Sequence, residues 1–284
     1  MKFCHIAPVA HLDLVQGRST HLTLAHLIEE GHQDYIDFYK NEAAMHDKVG
    51  DPYINIMDNS GFELYKAQLP MFPPEKLVGL AKQVSATHIV LPDHPSHPSM
   101  VGIDDAKIYA PIFKEAGFGT FFVPQSDIGD LEDLITSFAW AASSPLIDYI
   151  GISILAVPNA YCCEKGNNLQ RFMCRWKFMN ELYDRNLLQL AAQNGKKIHF
   201  LGMVDGPMEI PLLRDFHIDT WDSSAGVWAG LNKIAFDGSP TGLINGKFED
   251  HVDFESKFED TTIAESNIRV IDGLVDRYNF TERL

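Results

Sequence analysis

Positive charge, cysteine and long apolar runs are all scarce in this chain. Its 284 residues include 23 Lys and Arg against 39 Asp and Glu, which gives a formal net charge of −16. Binding to nucleic-acid phosphates needs a basic surface, so the negative net charge disfavours a nucleic-acid partner. A local basic patch can still outweigh the net charge within about 8–10 Å. No apolar run reaches the roughly 18 residues that a membrane-spanning helix requires, and no membrane partner is expected.

The four cysteines, Cys4, Cys162, Cys163 and Cys174, lack the spacing of a disulfide framework. This predicts reduced thiols, as in a cytoplasmic protein. The first residues carry His and Asp within their apolar part, so a signal peptide is not predicted. We therefore expect a cytoplasmic location.

Short apolar runs alternate with amphipathic segments from residue 53 to residue 222. This alternation predicts six strands there, with one or two more before residue 53. In one domain of 284 residues that is 45% hydrophobic, it favours an α/β fold of the (β/α)8 TIM-barrel type, with an open doubly wound sheet as the alternative. No glycine-rich phosphate-binding motif follows any strand, which disfavours a nucleotide-binding sheet.

Predictions for four further segments are as follows. Residues 20–28 fit either a helix or a strand. Residues 149–157 are predicted as one strand, and residues 169–193 as one long helix. Residues 239–261 are polar and acidic, which predicts an irregular surface excursion, and residues 263–278 predict a final helix.

Most predicted strands end at a polar residue. Asp58, Asp93, Gln125, Asp205 and Asp222 each follow such a strand. In a parallel barrel these strand ends ring one mouth, where such folds place their chemistry. Carboxylates that converge on one pocket can take different catalytic roles. One stays ionised and acts as a nucleophile, while another has a raised pKa and transfers protons. Taken singly, an Asp after a strand is ordinarily explained as turn chemistry or a helix N-cap.

Four short segments resemble motifs of the tRNA-guanine transglycosylases. MDNSGFE at 57–63 is similar to their DSGGFQ motif, and DTWDSS at 219–224 to the GxDxFDC segment that carries the nucleophilic Asp. HFLGM at 199–203 is similar to their YLMG segment, and VPQS at 123–126 to the strand that presents a base-binding Gln. Order and rough spacing agree over about two-thirds of the chain. The resemblance implies a (β/α)8 barrel that exchanges guanine for a 7-deazaguanine without breaking the polynucleotide.

The resemblance also implies roles for the polar residues at the strand ends. Asp222 would be the nucleophile that attacks C1′ of the target nucleoside, and Asp58 the general acid and base. Asp93 and Gln125 would bind the edge of the purine. An aspartate nucleophile splits displacement at the sugar into two easier steps, and a second carboxylate supplies the proton that the leaving purine needs.

The same resemblance implies a base pocket with flat walls. Phe62 would stack on one face of the base, and Leu201 or Met203 would cover the other. Gly202 and the backbone near Gly151 would allow the base to approach closely. A base pocket needs such walls together with a few aimed polar groups.

The chain departs from the family pattern in three places. Asn59-Ser60-Gly61 replaces Ser-Gly-Gly, and Ser223 replaces the usual Cys. The cysteine cluster of the structural zinc site is absent, since no Cys follows Cys174. The lost zinc site and the compact chain resemble the DpdA-type branch of phages and bacteria, which modifies DNA, and THLTLAHLIEEGHQDYIDFY at 20–39 also resembles that branch.

The implied partners are accordingly DNA, with tRNA as the alternative, and a free 7-deazaguanine base as co-substrate. The missing cysteine cluster predicts an enzyme that needs no metal, and no cofactor is expected. The resemblance places the protein in the cytoplasm of a bacterium or a phage-infected cell. The oligomeric state stays open, a homodimer included.

Other chemistries fit parts of the sequence. Residues 93–97, DHPSH, could hold a metal in a barrel hydrolase of the amidohydrolase type, although Pro92, Pro95 and Pro98 hold the segment in a loop without an H-x-H strand. Cys162, Cys163 and Cys174 could bind zinc, but adjacent cysteines rarely ligate one ion, and ordinary thiols are the alternative. A non-catalytic barrel is the third alternative, which the intact set of strand-end carboxylates disfavours.

Basic residues that could contact phosphates are few. Arg171, Arg175 and Lys177 occur within the predicted helix 169–193, and Arg171 and Arg175 lie one turn apart on one face. These three are the first candidates for DNA contacts, and Arg214 and Lys233 come next. A solvated helix face is the alternative explanation.

Overall fold

The computed structural model describes residues 1–203, 206–236 and 252–278. Eight parallel strands form a nearly closed barrel with helices alternating around it, which confirms the predicted (β/α)8 fold. The strands are hydrogen-bonded in the order β1-β8-β7-β6-β5-β4-β3-β2, and the two end strands lie side by side. The strands are β1 (Lys2–His5), β2 (Thr20–Leu24), β3 (Ile54–Asp58), β4 (His88–Val90), β5 (Gly119–Phe122), β6 (Tyr149–Ser153), β7 (Lys197–Leu201) and β8 (Thr220–Ser223).

The helices run back along the outside of the barrel. A 3₁₀ segment, Val9–Val15, follows β1. The α-helices are α1 (Ala25–Glu29), α2 (Gln33–Val49), α3 (Gly61–Lys66), α4 (Pro74–Gln83), α5 (Ser99–Glu115), α6 (Leu131–Ser143), α7 (Ala156–Ala160), α8 (Asn168–Asp184), α9 (Leu187–Gln193), α10 (Glu209–Leu212), α11 (Ala225–Leu231) and α12 (Thr262–Tyr278).

Alternation along the strands decides which side chains enter the barrel. On β8, Thr220 and Asp222 both hydrogen-bond to the ring of His199 on β7, so these three side chains share the inner face. Trp221, which lies between them, points outward and packs against Arg175 of α8. The period of two therefore brings the Asp222 carboxylate to the inside of the barrel, near its mouth.

Three sequence predictions of element boundaries need adjustment. Residues 20–28 contain both a strand and a helix, since β2 ends at Leu24 and α1 begins at Ala25. The strand predicted over 149–157 is wrong beyond Ser153, because the Ser153 hydroxyl accepts hydrogen bonds from the next N–H groups and turns the chain into α7. The helix predicted over 169–193 is interrupted at Asn186, whose φ of 58° is left-handed.

The helix predicted over 263–278 is confirmed as α12. It packs closely on α11, because a Cβ at Gly230 would lie only 2.2 Å from Ala264 Cα. Of the predicted excursion, residues 252–261 are irregular, as expected, whereas residues 239–251 and Asp205 lie outside the described residues.

Candidate active site

A tight turn at the end of β3 presents the first carboxylate. The Asp58 side chain accepts a hydrogen bond from the Ser60 N–H at 2.6 Å, and the Asn59 side chain accepts one from the Gly61 N–H, also at 2.6 Å. Ser60 adopts a left-handed φ of 59°, and its hydroxyl is bonded to the His26 side chain at 2.9 Å. These bonds hold the Asp58 carboxylate at the mouth of the barrel.

Asn59 joins this turn to the end of β4. Its side-chain N–H group donates to the carbonyl of Leu91 at 2.6 Å and to Asp93 Oδ1 at 3.2 Å. Gly61 packs against the same carboxylate, since a Cβ at Gly61 would lie 2.6 Å from Asp93 Oδ1. Asn59 therefore forms a direct link between the two strand ends.

The carboxylates at the mouth influence one another electrostatically. The pKa of Asp58 is raised well above its ordinary value, first by burial and then by the charges of Glu63 and Asp93, and the charge of Asp222 adds to the effect. Burial also raises the pKa of Asp93, against the hydrogen bond from Asn59, which lowers it. The four carboxylates therefore share one region, in which burial and the neighbouring negative charges shift Asp58 towards its protonated form.

Gln125 extends this region from the end of β5. Its side-chain N–H group donates to Asp93 Oδ2 at 3.4 Å, which fixes the direction of the amide. The Gln125 side chain is buried, and its Oε1 atom accepts no hydrogen bond from the described residues. A buried acceptor without a donor costs free energy, so this oxygen is set up for a donor group supplied by a ligand.

Asp222 lies deeper in the barrel and has a different environment. His199 Nε2 bonds to Asp222 Oδ1 at 2.8 Å, and His199 Nδ1 bonds to the Thr220 hydroxyl at 2.7 Å. Asp222 is 6% exposed and His199 is fully buried. The His199 ring therefore holds one oxygen of the carboxylate, and the group keeps a small exposure to solvent.

The predicted walls of the base pocket are only partly in place. Phe62 is 42% exposed, and the ammonium of Lys66 covers its ring at 4.0 Å. Leu201 is partly exposed at the end of β7, and Met203 is buried. Gly202 has a left-handed φ of 67°, which explains the glycine by backbone conformation.

The structure leaves no open space on the Cβ side of Gly151, near which a base was expected to approach the backbone. A Cβ at Gly151 would lie 2.6 Å from a ring atom of Phe121 and 2.8 Å from a methyl carbon of Leu201. The space in front of this glycine is therefore filled by two side chains of the neighbouring strands. Gly151 makes room for packing inside the barrel.

The prediction that Arg175 contacts phosphates is also wrong. Its guanidinium is fully buried, pairs with Glu209 and donates to the carbonyls of Ile152, Leu201 and Gly202. Arg171 and Arg175 do lie one turn apart in α8, but Arg175 lies on the face of the helix that packs against the barrel.

The other basic candidates do not form one surface. Arg171 is partly exposed in the first turn of α8, on the mouth side, and Lys177 is exposed further down the same helix. Arg214 lines a small cavity with Met1 and Ile218, near the starts of β1 and β8, which is the opposite end of the barrel. Lys233 lies beyond the end of α11 and close to Asp260. Arg171 is therefore the candidate that lies at the mouth end of its helix.

The alternative metal sites do not assemble in the part of the chain that the structure describes. His94 is bonded to Asp105 at 2.7 Å, and the His97 ring to the Pro95 carbonyl at 3.0 Å. Within residues 1–203, 206–236 and 252–278, no three His, Cys, Asp or Glu side chains are arranged to hold a metal ion. The same residues include no helix with the length and apolarity needed to cross a membrane.

Sequence reasoning missed two residues of this site. Both His199 and Glu63 belong to segments that resemble family motifs, 199–203 and 57–63, but the resemblance assigns neither of them a role. The alternation of β7 carried a signal for His199, since residues 199 and 201 share a face and Leu201 was already placed in the pocket. Glu63 follows Phe62 in the first turn of α3, and its signal is its position in MDNSGFE, where the similar motif DSGGFQ has Gln.

Comparison with known proteins supports the fold and nothing finer. No family model matches the chain, and no curated protein matches its sequence. Solved structures with a similar fold include the active domain 2 of a chitinase from Pyrococcus furiosus, with 13% identity and a TM-score of 0.50 over 98% of this chain and 96% of that chain. They also include an HpcH/HpaI aldolase/citrate lyase family protein from Burkholderia cenocepacia J2315, with 10% identity and a TM-score of 0.48 over 79% of this chain and 88% of that chain. At such identities the likeness is one of barrel architecture.

Proposed function

We propose that this protein is a pentosyltransferase that replaces guanine in DNA by a 7-deazaguanine, through a covalent bond between Asp222 and the sugar. The observation that carries the proposal is the unequal environment of two carboxylates at one mouth. Burial and nearby negative charges raise the pKa of Asp58, which shifts it towards its protonated form, whereas Asp222 receives a hydrogen bond from His199. Such a pair combines a proton donor with an anionic nucleophile.

The first half of the reaction opens the bond between the sugar and guanine. Asp222 attacks C1′ as the bond from C1′ to N9 breaks, and the electron pair of that bond leaves with the base. Asp58 gives its proton to the departing guanine, which leaves as a neutral molecule. The result is an ester between Asp222 and C1′, with Asp58 now ionised.

The second half restores both residues. The incoming 7-deazaguanine loses its N9 proton to Asp58 and attacks C1′, and the ester bond to Asp222 breaks. Two displacements at the same carbon retain the configuration at C1′. The cycle uses no water and leaves the sugar–phosphate chain intact.

The acceptor groups near Asp58 suit the edge of a guanine base. Guanine offers an N–H and an NH₂ on its Watson–Crick edge, and both are donors. Asp93 is an acceptor when ionised, and the buried Gln125 Oε1 accepts no hydrogen bond from the described residues. A donor-rich edge would satisfy both side chains, whereas an edge of acceptors would leave them unpaired.

The direct test is exchange of labelled guanine into double-stranded DNA, with tRNA run in parallel and a chelator present. We expect incorporation by the wild type and none by Asp222→Asn, which keeps the shape but removes the anionic nucleophile. A denaturation-resistant adduct that maps to Asp222 should form when the incoming base is withheld. Full exchange by Asp222→Asn, or an adduct at Asp58, would contradict the assigned roles. Exchange into tRNA alone would show that tRNA, and not DNA, is the substrate.

A further inference from the structure

We propose that His199 is the positioning residue of the nucleophile, a neutral imidazole that holds one oxygen of Asp222 so that the other faces the sugar. This inference rests on the proposed function, because it assigns a task to Asp222. Neither motif resemblance nor strand-end position points to it, since His199 lies in the middle of β7. It follows from contacts inside the barrel.

The geometry leaves His199 little freedom. Its side chain is fully buried, and its ring is in edge contact with Phe121, with the ring centroids 5.1 Å apart. Both ring nitrogens are bonded to residues of the neighbouring strand β8, at 2.7 Å to Thr220 and 2.8 Å to Asp222. Backbone pairing of His199 with Thr220 fixes the register of the two strands at this point. A ring held on three sides can fix a carboxylate in one orientation.

Hydrogen-bond chemistry identifies the tautomer. An ionised carboxylate only accepts, so the proton between His199 and Asp222 lies on Nε2. Thr220 is nearly fully buried, and its hydroxyl has no hydrogen-bond partner other than His199 among the described residues. Donation to Nδ1 satisfies this buried hydroxyl, so we assign Thr220 as the donor, which leaves that nitrogen without a proton. The imidazole is then neutral.

Neutrality matters for a nucleophile. A buried imidazolium would pair with the carboxylate as an ion pair and reduce its tendency to attack, whereas a neutral N–H orients the group and leaves its charge in place. The hydrogen bond engages Oδ1, and no other described residue donates to Asp222 in a hydrogen bond of the structure. The second oxygen is the one available to C1′.

Two substitutions separate orientation from simple packing. His199→Phe keeps a flat buried ring and the contact with Phe121 but removes the donor. His199→Gln carries an amide N–H that can reach the place of Nε2. A role in packing alone predicts that Phe is tolerated better than Gln, and a role in positioning predicts the reverse.

The experiment combines steady-state exchange kinetics with ¹⁵N spectra of the imidazole, after thermal melting has shown that each variant is folded. We expect His199→Phe to lower kcat roughly 100-fold with little change in KM, as misplacement of a reacting group does, and His199→Gln to recover a large part. The spectrum of the wild type should show one neutral ring protonated at Nε2, and Thr220→Val should allow the second tautomer.

The proposal is overturned by a doubly protonated ring, by a ring protonated at Nδ1, or by equal activity of the Phe and Gln variants. If the wild type exchanges no base, the proposed function fails. The ¹⁵N spectrum of the free enzyme then still decides whether His199 holds Asp222 in the stated way, so the two failures are distinguishable.

Discussion

Arg175 and Glu209 form an ion pair in which neither side chain is accessible to solvent. The guanidinium Nε and Nη2 atoms lie 2.7 Å from the two carboxylate oxygens of Glu209. The remaining guanidinium hydrogens bind backbone carbonyls at the ends of β6 and β7, including that of Gly202. The pair therefore supports the strand ends beneath the candidate site. It also explains why Arg175, which the sequence analysis placed on the surface, is buried.

The first prediction concerns the stability of this pair. Glu209→Gln leaves a buried positive charge without its partner and should lower the free energy of unfolding by about 3–5 kcal/mol, as measured by urea denaturation. Glu132→Gln is the matched control, because Glu132 pairs with Arg185 on the surface, where a bidentate ion pair adds little. Equal effects of the two changes on the free energy of unfolding would show that the buried pair stabilises the protein no more than the surface pair does.

The second prediction concerns pH and Asp58. Its pKa is raised in the folded protein, so the folded state holds the proton more tightly than the unfolded chain does. The stability contributed by this group is fully present below the unfolded value of about 4 and is lost as pH rises through the raised folded value. Asp58→Asn should flatten this loss in denaturation midpoints measured across pH. Asp104→Asn, at an exposed position, should keep the wild-type pH dependence.

The third prediction concerns the contact between Gly61 and Asp93. A Cβ at Gly61 would lie 2.6 Å from Asp93 Oδ1 and 2.9 Å from Asn59 Oδ1, so Gly61→Ala must displace the Asp93 carboxylate. We expect exchange to fall by on the order of 10²-fold, since small misplacements of binding groups are costly. Gly79→Ala on α4 meets no atom within 4 Å and should leave the rate unchanged. Full activity of Gly61→Ala would contradict the proposed role of Asp93 in binding the base.

The fourth prediction concerns DNA binding near the mouth. Arg171 is the basic candidate that lies on the mouth side, in the first turn of α8. If it contacts one phosphate, Arg171→Ala should reduce the slope of log affinity against log salt by about 0.9. Arg214→Ala changes a residue at the opposite end of the barrel and should keep the wild-type slope. The reverse pattern would place the DNA on the other face.

The sequence by itself determined the architecture and the outline of the site. Alternating apolar runs and amphipathic segments are local patterns, and eight such repeats close into a parallel barrel whose strand ends meet. The sequence placed Asp58, Asp93 and Asp222 near the mouth because each lies at or close to the C-terminal end of a predicted strand, although Asp222 proves to lie within β8.

Tertiary structure decided what each side chain contacts. The interior position of Arg175, the filled space beside Gly151 and the bond from His199 to Asp222 all depend on the register and packing of elements distant in sequence. The pKa of Asp58 likewise depends on Glu63, Asp93 and the burial that the closed barrel imposes. Local patterns specify which face of a strand or helix a residue occupies, whereas its partner is chosen only when the elements pack together.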